Sequence, residues 1–394
     1  MIARVVLKPR QARPFFAGHP WVYAGSIQRV VGDPRVGDEV TLESAEGIAI
    51  ARGLWNVSSL IRVRLYRWPD EPLDEPFWRG QIQRALRLRL ETPHAVSSNA
   101  QRLVYSEGDA ISGLVVDRFD RWLLAQFTSH ALWTRRESLV SLLKDETQAL
   151  GALCRFDRSL AKLEGAIDDT DPFVSGEIPS ESVEIFEGDV RFAVELGGGQ
   201  KTGCYLDQST NRAAVARYAS GRRVLDLFCY TGGFSLHALK QGAASSLGLD
   251  SSADAVSLAR QNAERNSLEN AEFRVTDLPR GLAEFARDGL KFGLVVCDPP
   301  KYARTARDID AALRAYAHLN RAAVELLEPG GFLASCSCSG HIDKITFQNM
   351  LAHVSELSKR PIQVLEMRGQ APDHPVAVAC LETEYLKCAI CRVS

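Results

Sequence analysis

Between residues 1 and 68, apolar residues recur in short alternating runs: ARVVL (3–7), WVYAGSIQRVV (21–31), DEVTLES (38–44), GIAIARGLW (47–55) and IRVRLYRW (61–68). The turn-forming stretches GDPRVGD and SAEG separate some of them, giving strands about every ten residues, as in a small β barrel. In IRVRLYR the period of two turns Ile61, Val63 and Leu65 to one face. It predicts Arg62 and Arg64 on the other, with Arg67 expected to join them at the strand's end. WPDEPLDEP (68–76) carries three prolines and reads as a linker.

The pattern then becomes mixed. Residues 77–100 open with FWRGQIQRALRLRLE, a helical pattern with a basic face, and RLVYSEGDAISGLVVDRFDRWLLAQF (102–127) reads as two strands joined by the turn DRFDR. A helix over TRRESLVSLLKDETQAL and a strand over ALCRFDRS complete a small α/β domain that ends near 180. VEIFEGDVRFAVEL (183–196) predicts a hairpin turning at Gly188-Asp189.

From about residue 200, strands and helices alternate. RRVLDLFCY, SSLGLD, AEFRVTD, FGLVVCDPP and GGFLASCSCS are apolar enough to be buried on both faces. FSLHALKQG and SADAVSLARQNAERNSL lie between them with helical spacing, and YLKCAICRV reads as an apolar terminal strand. This is the pattern of a doubly wound, mostly parallel sheet. The expected division is a barrel over 1–69, a central α/β domain over 74–182 and a Rossmann-like domain over 183–394.

Composition narrows the setting. A chain of 394 residues with 45% hydrophobic and 24% charged residues is an ordinary soluble protein of more than one domain. No apolar run is long enough to span a membrane, and the N-terminus lacks the features of a secretory signal, so the expected compartment is the cytoplasm. Net charge is only −2, but residues 1–68 hold ten Lys/Arg against five Asp/Glu, and arginine outnumbers lysine 37 to 10 over the chain. Arginine forks suit phosphates and base edges, although a solvated arginine-rich surface gives the same count. Nine scattered cysteines fit reduced thiols. The CxxC at Cys388–Cys391 has no second pair at zinc spacing, so no metal is expected.

Ligands of doubly wound sheets bind beyond the carboxyl ends of the strands. The first strand leads into DLFCYTGGFS (226–235), where Gly232 and Gly233 let the backbone approach a ligand. Asp250 ends the second strand, where it can accept from ribose hydroxyls. Asp277 ends the third and CDPPK (297–301) the fourth. Together these resemble the class I S-adenosylmethionine (SAM) methyltransferases. Asp-Pro-Pro followed by an aromatic is typical of enzymes that methylate exocyclic amines, but here a lysine intervenes in DPPKY. The fifth strand ends in SCSCSGH, which an amine acceptor does not need. Carbon 5 of cytosine does need a thiol, because addition at C6 makes C5 nucleophilic. A protonated carboxyl near N3 would stabilise the developing charge.

Almost end to end, the chain resembles the bacterial PUA-domain 23S rRNA (cytosine-5) methyltransferases. The resemblance rests on HPWVYAGSI (19–27), GLVVDRF (113–119), GGGQKTGCYLDQ (197–208), VLDLFCYTGGFS (224–235), DPPK (298–301), SCSG (337–340), DHPV (373–376) and YLK (385–387). It implies a PUA-like RNA-binding barrel, a central α/β domain, and a class I methyltransferase domain with a mostly parallel seven-stranded sheet. Carried over residue by residue, it places the nucleophile on Cys338 and the fourth-strand acid on Asp298, with Lys301 beside them. Pro299 and Pro300 shape the base pocket. The cofactor, S-adenosyl-L-methionine, falls to Tyr205, Asp207, Phe228, Tyr230, Thr231, Gly232, Asp250, Asp277 and Asp298. Arg62 and Arg64 are the barrel's candidates for contacting RNA.

Two departures stand out: Cys204 replaces a usual aromatic, and EGDAISGLVVDRF replaces a usual Gly-Leu-Pro-Gly turn. The implied partner is large-subunit ribosomal RNA, with no membrane, and a homodimer stays open. Methylation of guanine N2 or adenine N6, and a non-catalytic RNA-binding ribosome-assembly role, remain alternatives. Cys336 lies inside the apolar run GFLASC and is expected to be structural. Cys297 and Cys229 are expected to pack, His341 to be a polar loop residue, and His374 to line the pocket.

Overall fold

The computed structural model describes residues 2–92, 97–166, 170–196 and 204–394. They form two compact units. The first comprises 1–93, 99–183 and 372–383; the second comprises 94–98, 184–371 and 384–394. Barrel and central α/β domain thus share one unit. The segment 372–383, inside the stretch expected to be one methyltransferase domain, belongs to that unit too. Among the described residues no helix is long and apolar enough to cross a membrane.

In the first unit, the strands expected from the alternation appear as a six-stranded sheet. Strand Ala3–Leu7 lies between Ile27–Val31 and Glu39–Glu43, and Ile61–Arg67 pairs with Ala49–Trp55. Val5, Leu7, Val22, Val40, Leu42 and Val63 close its core. Beyond the linker, helix Glu75–Glu91 starts at Asp74, whose carboxylate accepts from Phe77 N–H at 3.1 Å. Trp78, Ile82, Ala85 and Arg89 form its buried face. It packs beside a five-stranded sheet in which Ala100–Tyr105 is a separate strand, so the region read as two strands holds three. A helical turn at Ser106–Asp109 and a positive φ at Ala110 break the run.

Arg64 corrects the alternation argument. It is buried rather than lining an open face. Its Nη1 donates to Glu107 Oε1 at 3.1 Å and to Ser112 Oγ at 3.0 Å, with Glu164 at 3.9 Å. The period of two put Arg64 opposite Val63, but that face is covered by the central domain. Arg62 is half-buried, and among the described residues its Nη1 has no partner. His374 also departs from expectation. It is buried in the first unit, where Nδ1 lies 2.7 Å from Asp373 and the ring 5.3 Å from Tyr105.

The second unit is built on a seven-stranded sheet whose strands are numbered here within it: β1 (Arg223–Leu227), β2 (Ser245–Asp250), β3 (Ala271–Val275), β4 (Phe292–Cys297), β5 (Leu327–Ser337), β6 (Ile362–Arg368) and β7 (Lys387–Val393). Their order is 3-2-1-4-5-7-6. The first five are parallel, and β7 runs antiparallel between β5 and β6. Helices α1 (Gly233–Lys240), α2 (Ala253–Arg265) and α3 (Ile309–Glu325) are among those covering it. Side chains alternate between two cores, Val295, Cys297 and Leu333 in one and Leu294, Val296 and Cys336 in the other. Cys388 and Cys391 likewise fall in opposite cores, so that CxxC cannot converge on one ion.

Removing the Arg64 guanidinium leaves Glu107 buried without its cation. Arg64→Met is expected to destabilise the first unit by about 3–5 kcal/mol, read as a lowered midpoint in chemical denaturation. An unchanged midpoint would return Arg64 to the surface role.

Candidate active site

The site of the second unit grows from the carboxyl ends of β1, β2, β4 and β5. After β1 the backbone adopts positive φ at Phe228 (62°), Tyr230 (49°) and Gly232 (85°). Two of these are bulky residues in a conformation they rarely take. Three bonds hold them there. Cys229 N–H donates to Leu249 O at 3.0 Å, Tyr230 N–H to Asp250 Oδ2 at 3.0 Å, and Gly232 N–H to Cys229 O at 2.8 Å. Gly232 is required twice over, since a Cβ there would sit 2.9 Å from the Phe273 ring. Asp250 also takes Ser252 N–H at 2.9 Å, so one carboxylate fixes both turns and retains acceptor capacity on each oxygen.

Beneath this loop lies Asp226, which the sequence reading passed over as part of an apolar strand. It is buried, accepts from Ser235 N–H and Oγ, and has Oδ1 unpartnered among the described residues. Burial lifts its carboxyl to about 7, against the opposing hydrogen bonds from Ser235.

Tyr205, Phe228, Tyr230, Thr231, Gly233 and Asp298 are among the residues lining one cleft. The rings of Tyr205 and Tyr230 are 5.2 Å apart. Asp207 accepts from the Tyr385 hydroxyl through Oδ2, and among the described residues its buried Oδ1 has no partner. Arg212 adds no free positive charge, because its Nε donates to buried Glu187 at 3.0 Å. Aromatic walls, surplus carboxylates and an orphaned acid oxygen suit a ligand with a purine ring and net positive charge. SAM, with a sulfonium and an ammonium against one carboxylate, has both. The expected cofactor residues are therefore partly gathered. Asp277 is exposed before helix Leu278–Arg287 and does not line the cleft. Of GGGQKTGCYLDQ, residues 197–203 lie outside the described residues.

At the end of β4, Asp298 Oδ2 accepts from Gln208 Nε2 at 3.0 Å. Burial and the nearby Asp207 raise its carboxyl to about 7, with Gln208 opposing. Pro299 is buried, while Pro300 and Lys301 are exposed. Tyr302, the aromatic of DPPKY, packs 4.8 Å from Tyr316.

Cys338 lies just past the end of β5, half-buried, whereas Cys336 is fully enclosed and faces Cys388 across the sheet. The Cys336 thiol is held well above its ordinary range by that neighbour and by burial. Cys338 is pushed up to about 11 by burial and then by Asp298 and Asp207, with Lys301 acting the other way. The turn carrying Cys338 is braced by hydroxyls. Ser337 Oγ lies 3.0 Å and Ser339 Oγ 3.1 Å from the buried Tyr316 hydroxyl, and Ser339 Oγ accepts from Ala303 N–H at 3.2 Å. Through Tyr316 and Ser339, the loop after β4 and the turn after β5 are tied together. The serines on each side of Cys338 were the available signal in SCSCSGH, but nothing in the sequence pointed to Tyr316 as their partner. His341 is exposed, and Cys297 and Cys229 are buried as expected.

The comparisons with known proteins agree with this architecture. The model of an S-adenosylmethionine-dependent methyltransferase family matches residues 147–378, and that of a PUA-like domain matches residues 5–68. A solved methyltransferase in complex with S-adenosylhomocysteine (SAH) aligns over all of both chains with a TM-score of 0.86 at 20% identity. The chain is 37% identical to the ribosomal RNA large subunit methyltransferase I of Aeromonas hydrophila and 36% identical to that of Tolumonas auensis, over the full length of each. With full-length identity above a third and both domain models in place, this chain belongs to the SAM-dependent methyltransferase family whose members carry that name.

Proposed function

We propose that the protein transfers a methyl group from SAM to carbon 5 of a cytosine in 23S rRNA, with Cys338 as covalent nucleophile. The observation carrying this reading is a half-exposed thiol at the end of β5, fixed by Tyr316, beside an acid at the end of β4 whose pKa is about 7. The names of the full-length relatives support large-subunit rRNA as the substrate.

The bound cofactor supplies an electrophilic methyl on a sulfonium. Cys338 thiolate adds to C6, and the C5–C6 electron pair becomes available at C5. Protonated Asp298 donates to N3, where negative charge develops. C5 takes the methyl as the methyl–sulfur bond breaks, leaving SAH. A base then removes the C5 proton, and those electrons restore the C5–C6 double bond and expel the thiolate. The target base must first leave its stack, at a cost of a few kcal/mol. The exocyclic-amine alternative loses support because the Tyr302 ring packs against Tyr316.

Two outcomes test the reading. Cys338→Ala is expected to reduce methyl transfer to background, while Cys336→Ala retains most of it. RNA containing 5-fluorocytosine, which has no C5 proton to lose, should leave an adduct mapping to Cys338. Robust transfer by Cys338→Ala would sink the covalent route.

The second outcome concerns pH. Ionised Cys338 and protonated Asp298 are needed together, with values of about 11 and about 7. Below about pH 7 Asp298 stays protonated, so the single-turnover rate rises with pH as thiolate accumulates. Above it, the loss of the Asp298 proton cancels that gain and the profile flattens. Asp298→Asn keeps an N–H donor at every pH, so between pH 7 and pH 8 its slower rate should keep climbing about tenfold per pH unit. A plateau in both proteins would remove Asp298 from the step.

A further inference from the structure

Lys387 opens β7 and stands directly opposite Ser337 in the pairing of β7 with β5. It is among the largest fully buried side chains, only 2% exposed. Its Nζ donates to Ser339 O at 2.6 Å and to Tyr385 O at 2.9 Å. Those acceptors are neutral carbonyls. Among the described residues no carboxylate lies within ion-pair distance of it, and the neighbouring Glu384 is engaged by Lys344. A buried ammonium without an anion is costly, and an apolar side chain of that length would fill the space without the charge. The anion this arrangement lacks is one that forms during the reaction.

We propose that Lys387 is the positioning cation for the Cys338 thiolate, held under the Ser337–Ser339 turn so that its charge meets the sulfur when the thiol ionises. This rests on the reading of Cys338 as nucleophile and adds the group that makes it one. The S–H bond breaks with its electron pair staying on sulfur. The proton passes to the Asp298 carboxylate, and Lys387 keeps all of its own. One transfer thereby yields both the nucleophile and the protonated acid needed at N3. Lys301, the lysine singled out from the sequence, is exposed, so water screens its field. Lys387 is enclosed: burial draws its pKa down to about 8, and the Cys338 charge opposes that fall.

The test reads the thiol itself, apart from methyl transfer. Full-length protein is treated with iodoacetamide across a pH series, and alkylation of Cys338 is followed by peptide mass spectrometry. Lys387→Gln keeps N–H donors for both carbonyls and loses only the charge. It should alkylate about tenfold more slowly at pH 7.5, a shift of about one unit, and Lys387→Arg should restore most of the rate. In the unaltered protein, the rise of alkylation with pH should slacken near pH 8, where Lys387 loses its proton.

That second readout needs no variant and stands even if Lys387→Gln fails to fold. An unchanged rate in folded Lys387→Gln, or a curve in the unaltered protein with no break near pH 8 beyond the one that Asp298 gives near pH 7, overturns the inference. Methyl transfer by Cys338→Ala would overturn the nucleophile reading instead, so the two failures are distinct.

Discussion

Everything at the proposed reaction centre depends on β4 and β5 running parallel with Cys297 opposite Ser335. That register makes both strands end at the same edge, so an acid one step past an apolar strand and a thiol just past its neighbour arrive together. Parallel pairing alone would leave two independent loops there. Ser339 joins them: its Oγ accepts from Ala303 N–H in the loop after β4 and lies within bonding distance of the Tyr316 hydroxyl, buried on α3, which also meets Ser337. A buried hydroxyl left unpaired would cost of order 1–3 kcal/mol, so the turn around Cys338 is restrained by more than its own backbone.

The same logic explains the loop after β1. Phe228 and Tyr230 sit at positive φ, a strain of order 1–3 kcal/mol each. Asp250 offsets part of it by accepting from Tyr230 N–H. One carboxylate therefore shapes the loop while keeping lone pairs for a ligand. The aromatic pair Tyr205 and Tyr230 faces a set of acids whose repulsion is greatest when the cleft holds no positive charge, which favours a cationic cofactor over its neutralised product.

Periodicity and strand-end chemistry made much of this visible in the sequence. The five parallel strands, the Gly232 turn, Asp250, Asp298 and the contrast between Cys336 and Cys338 all follow from alternation and position along a strand. What stayed hidden depends on contacts between distant segments. Arg64 looked solvent-facing because alternation reports which face a side chain takes, and says nothing of what covers that face. Asp226 looked like one polar residue in an apolar run. Lys387 looked like the ordinary polar start of a strand, and Tyr316 like a helix residue, until the sheet brought both to Ser339. The segment 372–383 carried no local sign that it packs with the first unit.

β7 lies between β5 and β6, yet it is the last of the seven strands in chain order. During synthesis β6 therefore emerges with no neighbour to pair with, and Lys387 is not yet in place opposite Ser337. The cofactor half of the cleft, built from β1, β2 and β4, can form well before then. Strand order in time thus brings in the proposed positioning lysine last, after the acid and the thiol it would serve.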